Sequence, residues 1–314
     1  MSHGPAPWRQ TAWDWRAAGN FIGGGAGAGL IAFAGLEAVL GTPMPLRFLM
    51  GGLLVAAGLL CVWFEIGRPL RALHVYLHPR RSWMSREAIL ASLLLPCSAA
   101  AVLGMRGAAP VAAVLALVYL YAQARMLNAA KGIPAWREPR IVALLIGTGL
   151  AEGGGLFLLS SFVHRTGSVA LTLLAALLIL ARWLAWRRYR AGLAAAPRAL
   201  AALDGAGAVL RSVGTAAPLV LVGAAMALVY TGAGSIDAGI GGIAAALAGI
   251  AALLAGARWK LVLVTRAGFN QGFALTHLPV RGVRRAAAPA ASAPDAGPRT
   301  AAQRGIPDRT EAVR

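Results

Sequence analysis

Eight apolar stretches lie between Ala17 and Gly256, each long enough to cross a bilayer, and they decide the solvent in which this chain folds. A spanning helix needs about 20 apolar residues, and inside hydrocarbon every backbone N–H and C=O must be satisfied within its own segment. The stretches therefore read as helices. Composition agrees: 58% of residues are hydrophobic and 13% charged, where soluble domains carry about 25% charged. The expected fold is all-α, a polytopic bundle of eight transmembrane helices over 17–40, 46–66, 87–105, 109–128, 140–163, 168–186, 215–234 and 237–257. Around this 17–285 domain, residues 1–16 form an N-terminal segment without the pattern of a cleaved signal peptide. Residues 286–314 are Ala, Pro, Arg and Ser without apolar periodicity, expected as a disordered tail.

Charge alternates between the connections. Arg68, Arg71, Arg80, Arg81 and Arg86 separate the second and third stretches, and Lys131, Arg137 and Arg140 the fourth and fifth. Arg187, Arg188, Arg190, Arg198 and Arg211 fall between the sixth and seventh, and Arg258, Lys260 and Arg266 follow the eighth. The opposite connections carry only Arg47, Arg106, Arg165 with His164, and Asp237. The positive-inside rule then puts both termini in the cytoplasm, although docking of an acidic partner would select the same basic face. Loop arginines beside anionic lipid account for the net charge of +19 without nucleic-acid binding.

Polar groups inside or beside the stretches are the functional candidates, because charge in a membrane is costly. Glu65 falls near the end of the second stretch, followed by Arg68, Pro69 and Arg71; it either meets a ligand at the lipid boundary or is neutralised by those arginines. Arg81-Ser82-Trp83-Met84-Ser85-Arg86-Glu87 reads as an interfacial belt or a docking patch, with Ser85 as helix cap and Glu87 in the first turn. Arg125 and Asn128 close the fourth stretch, before Gly132-Ile133-Pro134-Ala135-Trp136-Arg137; Arg125 either snorkels or binds, and Asn128 suits a ligand carbonyl or a backbone group. Glu152 sits near mid-depth of the fifth stretch with no ion-pair partner evident, as a proton relay or a neutral acid bonded to a neighbouring helix. Asn20 precedes Gly23-Gly24-Gly25, and the glycine clusters suit close helix packing or a ligand cleft.

None of the five histidines falls inside a stretch, so a haem held between helices lacks its ligands. Two cysteines, Cys61 and Cys97, cannot supply an iron–sulfur cluster.

Taken together, Ile66-Gly67-Arg68-Pro69 with Arg71, Ser82 to Glu87, Arg125 with Asn128, Ile133-Pro134-Ala135-Trp136, and Arg266-Ala267-Gly268-Phe269-Asn270 resemble the polysulfide-reductase and DMSO-reductase family of membrane anchor subunits. The resemblance covers all eight stretches but not the tail. It implies a haem-free, non-catalytic subunit of a molybdopterin oxidoreductase in a bacterial inner membrane. Such a subunit binds quinone or quinol (ubiquinone or menaquinone) and exchanges electrons with a four-cluster, ferredoxin-like iron–sulfur subunit beside a molybdopterin catalytic subunit. Carried over by position, Asn20, Glu65, Arg71, Arg125 and Asn128 would bind quinone. Arg68, Arg81, Trp83, Arg86, Trp136 and Arg137 would dock the partner, and Glu152 would relay protons. Glu65 stands where the DMSO-reductase anchor has a histidine, which alters the titrating group. Two other classes stay open: a transporter or proton conductor using Glu152, for which no inverted repeat is visible, and a purely structural anchor.

Overall fold

The computed structural model describes residues 7–64 and 69–272, with the backbone alone at 69–72. The chain is all-α, a multi-pass membrane protein whose described residues include eight helices long and apolar enough to span a bilayer. The elements are α1 (Trp15–Val39), α2 (Pro45–Trp63), a 3₁₀ segment (Pro69–Leu77), α3 (Trp83–Val102), α4 (Ala108–Asn128), the single turn α5 (Pro134–Arg137), α6 (Arg140–His164), α7 (Val169–Gly192), α8 (Pro197–Arg211), α9 (Ala217–Tyr230) and α10 (Gly239–Thr265).

Two groups of helices share a central seam. α1 packs on α2 and α4, with α3 beside them; α6 packs on α7 and α10, with α9 closing that side. The α1–α6 contact joins the halves, and glycine makes it possible. A methyl on Gly29 would strike the Gly149 carbonyl, and one on Gly153 would strike the Gly29 backbone. Gly155 and Gly249 do the same between α6 and α10. In lipid such backbone approach replaces the hydrophobic drive that assembles soluble bundles.

Helix boundaries differ from the sequence expectation. α3 begins at Trp83, because Ser82 rather than Ser85 caps it, its Oγ accepting from the Ser85 N–H at 3.4 Å. The seventh span begins at Pro197: α8 continues through a π-turn (Ser212–Ala216) into α9, 34 residues in all. At 1.5 Å per residue that is about 50 Å, well beyond the ~30 Å of hydrocarbon. The basic stretch expected as a loop is therefore mostly helix, with only Leu193–Ala196 connecting α7 and α8. Likewise α10 runs on to Thr265, so Lys260 lies inside a helix and not after one.

These extended ends build a packed head on the side where α1 starts. Trp186, Tyr189 and Trp259 meet edge-on or tilted, and Trp13 stacks on Trp136 at 5.1 Å. Trp136 Nε1 donates to the Leu263 carbonyl at 3.1 Å, and the Tyr189 hydroxyl to the Ala135 carbonyl at 2.8 Å. The N-terminal strip is tied to the end of the described chain: Arg9 bridges Phe269, and Gln10 N–H donates to the Gly268 carbonyl at 2.8 Å. The expected tail, 286–314, lies outside the described residues.

At the opposite side Arg47 is fully buried. It pairs with Glu37, lies over the Phe157 ring at 4.3 Å, and donates to Ser160, Ser161 and Thr166 at 2.9 Å each. Expected as a loop charge, Arg47 instead clamps the α1–α2 connection onto the end of α6.

Candidate functional site

A cavity of about 640 Å³ opens at the basic end between α1, α2, α3 and the 3₁₀ segment. That is the size range of small-molecule sites. Its walls are apolar and aromatic, including Phe21, Leu59, Met84, Ala91 and Met126, with exposed Trp63, Leu73 and Tyr76 at the mouth. Tyr76 and Ser92 share a 2.7 Å hydrogen bond there. The polar end is Asn20 and Glu87, both buried.

Glu87 has two unlike oxygens. Oε1 accepts from Asn20 Nδ2 at 3.0 Å, the Tyr119 hydroxyl at 3.3 Å and Gln123 Nε2 at 3.4 Å. Those donors compensate a carboxyl placed in an apolar wall. Oε2 has no hydrogen bond among the described residues and is not sealed from the cavity. Asn20 Oδ1 is buried without a partner. Of the two unused acceptors, Glu87 Oε2 is open to the cavity and suits a ligand hydroxyl or a bound water, and Asn20 Oδ1 is sealed beneath it. Gly24 makes room for it: a methyl there would stand 2.5 Å from Gln123 Nε2 and 2.7 Å from the Tyr119 hydroxyl.

Behind this wall lies a second polar group. Lys260 Nζ donates to Glu152 Oε2 at 2.5 Å and to the Phe21 carbonyl at 2.8 Å. Arg182, fully buried, donates through Nη1 to the Ala252 carbonyl at 2.8 Å and through Nη2 to the Gly214 carbonyl in the π-turn. Gly256 lets Glu152 and Arg182 meet against α10; a methyl there would stand 2.5 Å from Glu152 Oε1 and 3.1 Å from Arg182 Nη1. The two networks approach at Gly25, where the position of a methyl lies within 3.5 Å of both Gln123 Oε1 and Lys260 Nζ. Glycine in α1 therefore gives close helix packing and leaves room for the Gln123, Tyr119 and Lys260 side chains.

The sequence-derived candidates divide. Asn20 lines the cavity. Glu65 and Arg68 lie outside the described residues, as does the Arg71 side chain, and α2 ends at Trp63, ahead of the expected 66. Asn128 does not reach the cavity; its amide donates to the carbonyls of Trp136 and Arg137 at 3.1 and 3.2 Å, clasping α4 to α5. Arg125 stands outside the lining, 5.1 Å from the Trp83 ring, which also meets Arg86 at 4.1 Å and Tyr121 edge-on at 5.6 Å. Arg86 also donates to the carbonyls of Pro79 and Arg80 at 2.8 and 3.0 Å. Arg81 and Arg137 are exposed. Trp136 is not available for docking: it is 2% exposed and belongs to the aromatic head. Glu152, for which no ion-pair partner is evident in sequence, pairs with Lys260.

Glu87, Tyr119, Gln123, Arg182 and Lys260 were not singled out as site residues by sequence. The available signal was Tyr119 and Gln123, four residues apart on one face of an apolar stretch, and Arg182 within another.

No protein-family model matches the chain, and no curated protein matches it in sequence.

Proposed function

We propose that this chain is the quinone-binding membrane anchor of a molybdopterin oxidoreductase complex, carrying neither haem nor iron–sulfur cluster itself. The observation that carries the reading is Glu87, with one oxygen held by three donors and the other open to an apolar, aromatic-lined cavity. A quinone ring needs flat apolar walls, and its oxygen needs a positioned donor or base. In quinol oxidation one ring hydroxyl would pass its proton to Glu87 Oε2, the second proton would leave to water at the cavity mouth, and the two electrons would pass to the iron–sulfur partner subunit. Reduction reverses these transfers. Asn20 holds Glu87 by donating from its amide to Oε1. Exposed Arg81 and Arg137, with the Arg86–Trp83–Arg125 stack, form the docking surface on that end of the bundle. Glu152, paired with Lys260 behind the pocket, is the proton relay. The basic side faces the cytoplasm of a bacterial inner membrane, with both termini there.

Titration of the purified complex with a tight-binding quinol analogue tests the site. Saturable binding that weakens at least tenfold in Glu87→Gln and in Asn20→Leu, about 1.4 kcal/mol each, is expected. Unchanged affinity in both variants removes this cavity as the quinone site. Co-purification without molybdenum and iron would remove the complex.

A further inference from the structure

A second groove, of about 450 Å³, lies on the outside of the bundle between the chain entering α1 and the last turns of α10. Arg258 and Arg266 line it with Trp13, Trp15 and Leu261. Both arginines are exposed, and neither guanidinium has a hydrogen bond or ion pair among the described residues. Asp14 also borders the groove, but its carboxylate is engaged: it caps α1 through the Arg16 N–H at 2.7 Å and pairs with the Arg16 guanidinium at 2.9 Å. The Arg16 hydrogen bond holds the Asp14 carboxyl below its usual range, so it stays ionised and paired. The groove therefore presents two uncommitted cations.

Below them α10 carries an apolar track. Leu247, Leu254 and Leu261 recur at seven-residue spacing and are 50%, 61% and 39% exposed, and Trp15 at the groove's edge is 64% exposed. Arg258 lies between Leu254 and Leu261 on that face, so the track runs from the cations into the hydrocarbon. Tryptophan at this level is the usual marker of the headgroup boundary.

We propose that this groove is a binding site for an anionic glycerophospholipid, its phosphate between Arg258 and Arg266 and an acyl chain along the leucine track. Charge complementarity selects this occupant over the chain's own end: residues 273–314 hold seven arginines against three acidic residues and would be repelled. A zwitterionic lipid shares the chains but brings its own cation to the arginines.

The test is native mass spectrometry of the full chain released from detergent, with phosphatidylglycerol, with phosphatidylcholine of the same acyl chains, and with inorganic phosphate. The expected preference for phosphatidylglycerol is about thirtyfold, the effect of two arginine–phosphate contacts. Arg258→Gln/Arg266→Gln should abolish that preference, while Arg187→Gln/Arg188→Gln, on another basic surface, should retain it. Both pairs are exposed, so folding is not at stake. Equal retention of the two lipids, an unchanged preference in the Arg258/Arg266 variant, or displacement of the lipid by inorganic phosphate alone would each overturn the proposal.

Discussion

Glu152, Lys260 and Arg182 put two cations and one carboxylate in the middle of an apolar bundle. Removing the carboxylate from such a group leaves two buried cations uncompensated, at about 3–5 kcal/mol. Glu152→Gln should therefore lower stability by that amount in a detergent unfolding assay, and Glu152→Gln/Lys260→Met, which leaves only Arg182 on its carbonyl acceptors, should recover part of it. A double variant no better than the single would mean that Lys260 acts through the Phe21 carbonyl instead. Arg47→Met, at the opposite end, should cost as much by stranding Glu37. The carboxyl of Glu152 was legible in sequence because it interrupts an apolar run. Its partner was not, because Lys260 follows Arg258 and reads as the start of a basic loop. Only the continuing apolar residues Val262, Leu263 and Val264, all buried, keep α10 helical past it.

Among the elements, α1 and α6 depend on missing side chains. A methyl at Gly153 meets the Gly29 backbone, which cannot rotate away as a side chain could. Gly153→Ala should cost about 3 kcal/mol or more, whereas Gly205→Ala, which meets nothing within 4 Å on α8, should be neutral or slightly stabilising. Thermal unfolding of both variants checks this contrast. The connections have their own latch: Asp237 accepts from the Gly167 N–H at 2.9 Å and from the Ser235 hydroxyl, joining the α6–α7 and α9–α10 turns. The Ser235 hydrogen bond, with that from Gly167, holds the Asp237 carboxyl below its usual 3.8. A lowered folded value adds stability above the unfolded pKa and loses it as pH falls through the folded one. Asp237→Asn should accordingly be less stable than wild type at pH 7, with the gap closing below about pH 4.

At the scale of the whole molecule, eight crossings return the chain to the side where it started, and the Arg9–Phe269 bridge brings both ends of the described chain together. The orientation proposed above puts that side in the cytoplasm. In a background without Cys61 and Cys97, Lys131→Cys should resist a membrane-impermeant maleimide added to intact cells, and Ala233→Cys should react. The reverse pattern would place the proposed partner-docking face outside. The same view explains the site: the cavity belongs to the α1–α4 half and the charged group to the α6–α10 half, and they approach at Phe21 and Gly25 on the shared seam.

Sequence alone determined the solvent, the number of spans and the side that gathers arginine, because hydrocarbon thickness and backbone hydrogen bonding leave no other solution for eight such stretches. It also marked Asn20 as a polar group at useful depth. Tertiary structure alone decided which polar groups meet. Glu87 changed from a first-turn acid into the wall of a cavity when Ser82 rather than Ser85 capped α3, moving the helix start four residues earlier than the expected 87. A shift of that size is invisible to hydropathy, yet it decides which face of a helix points inward.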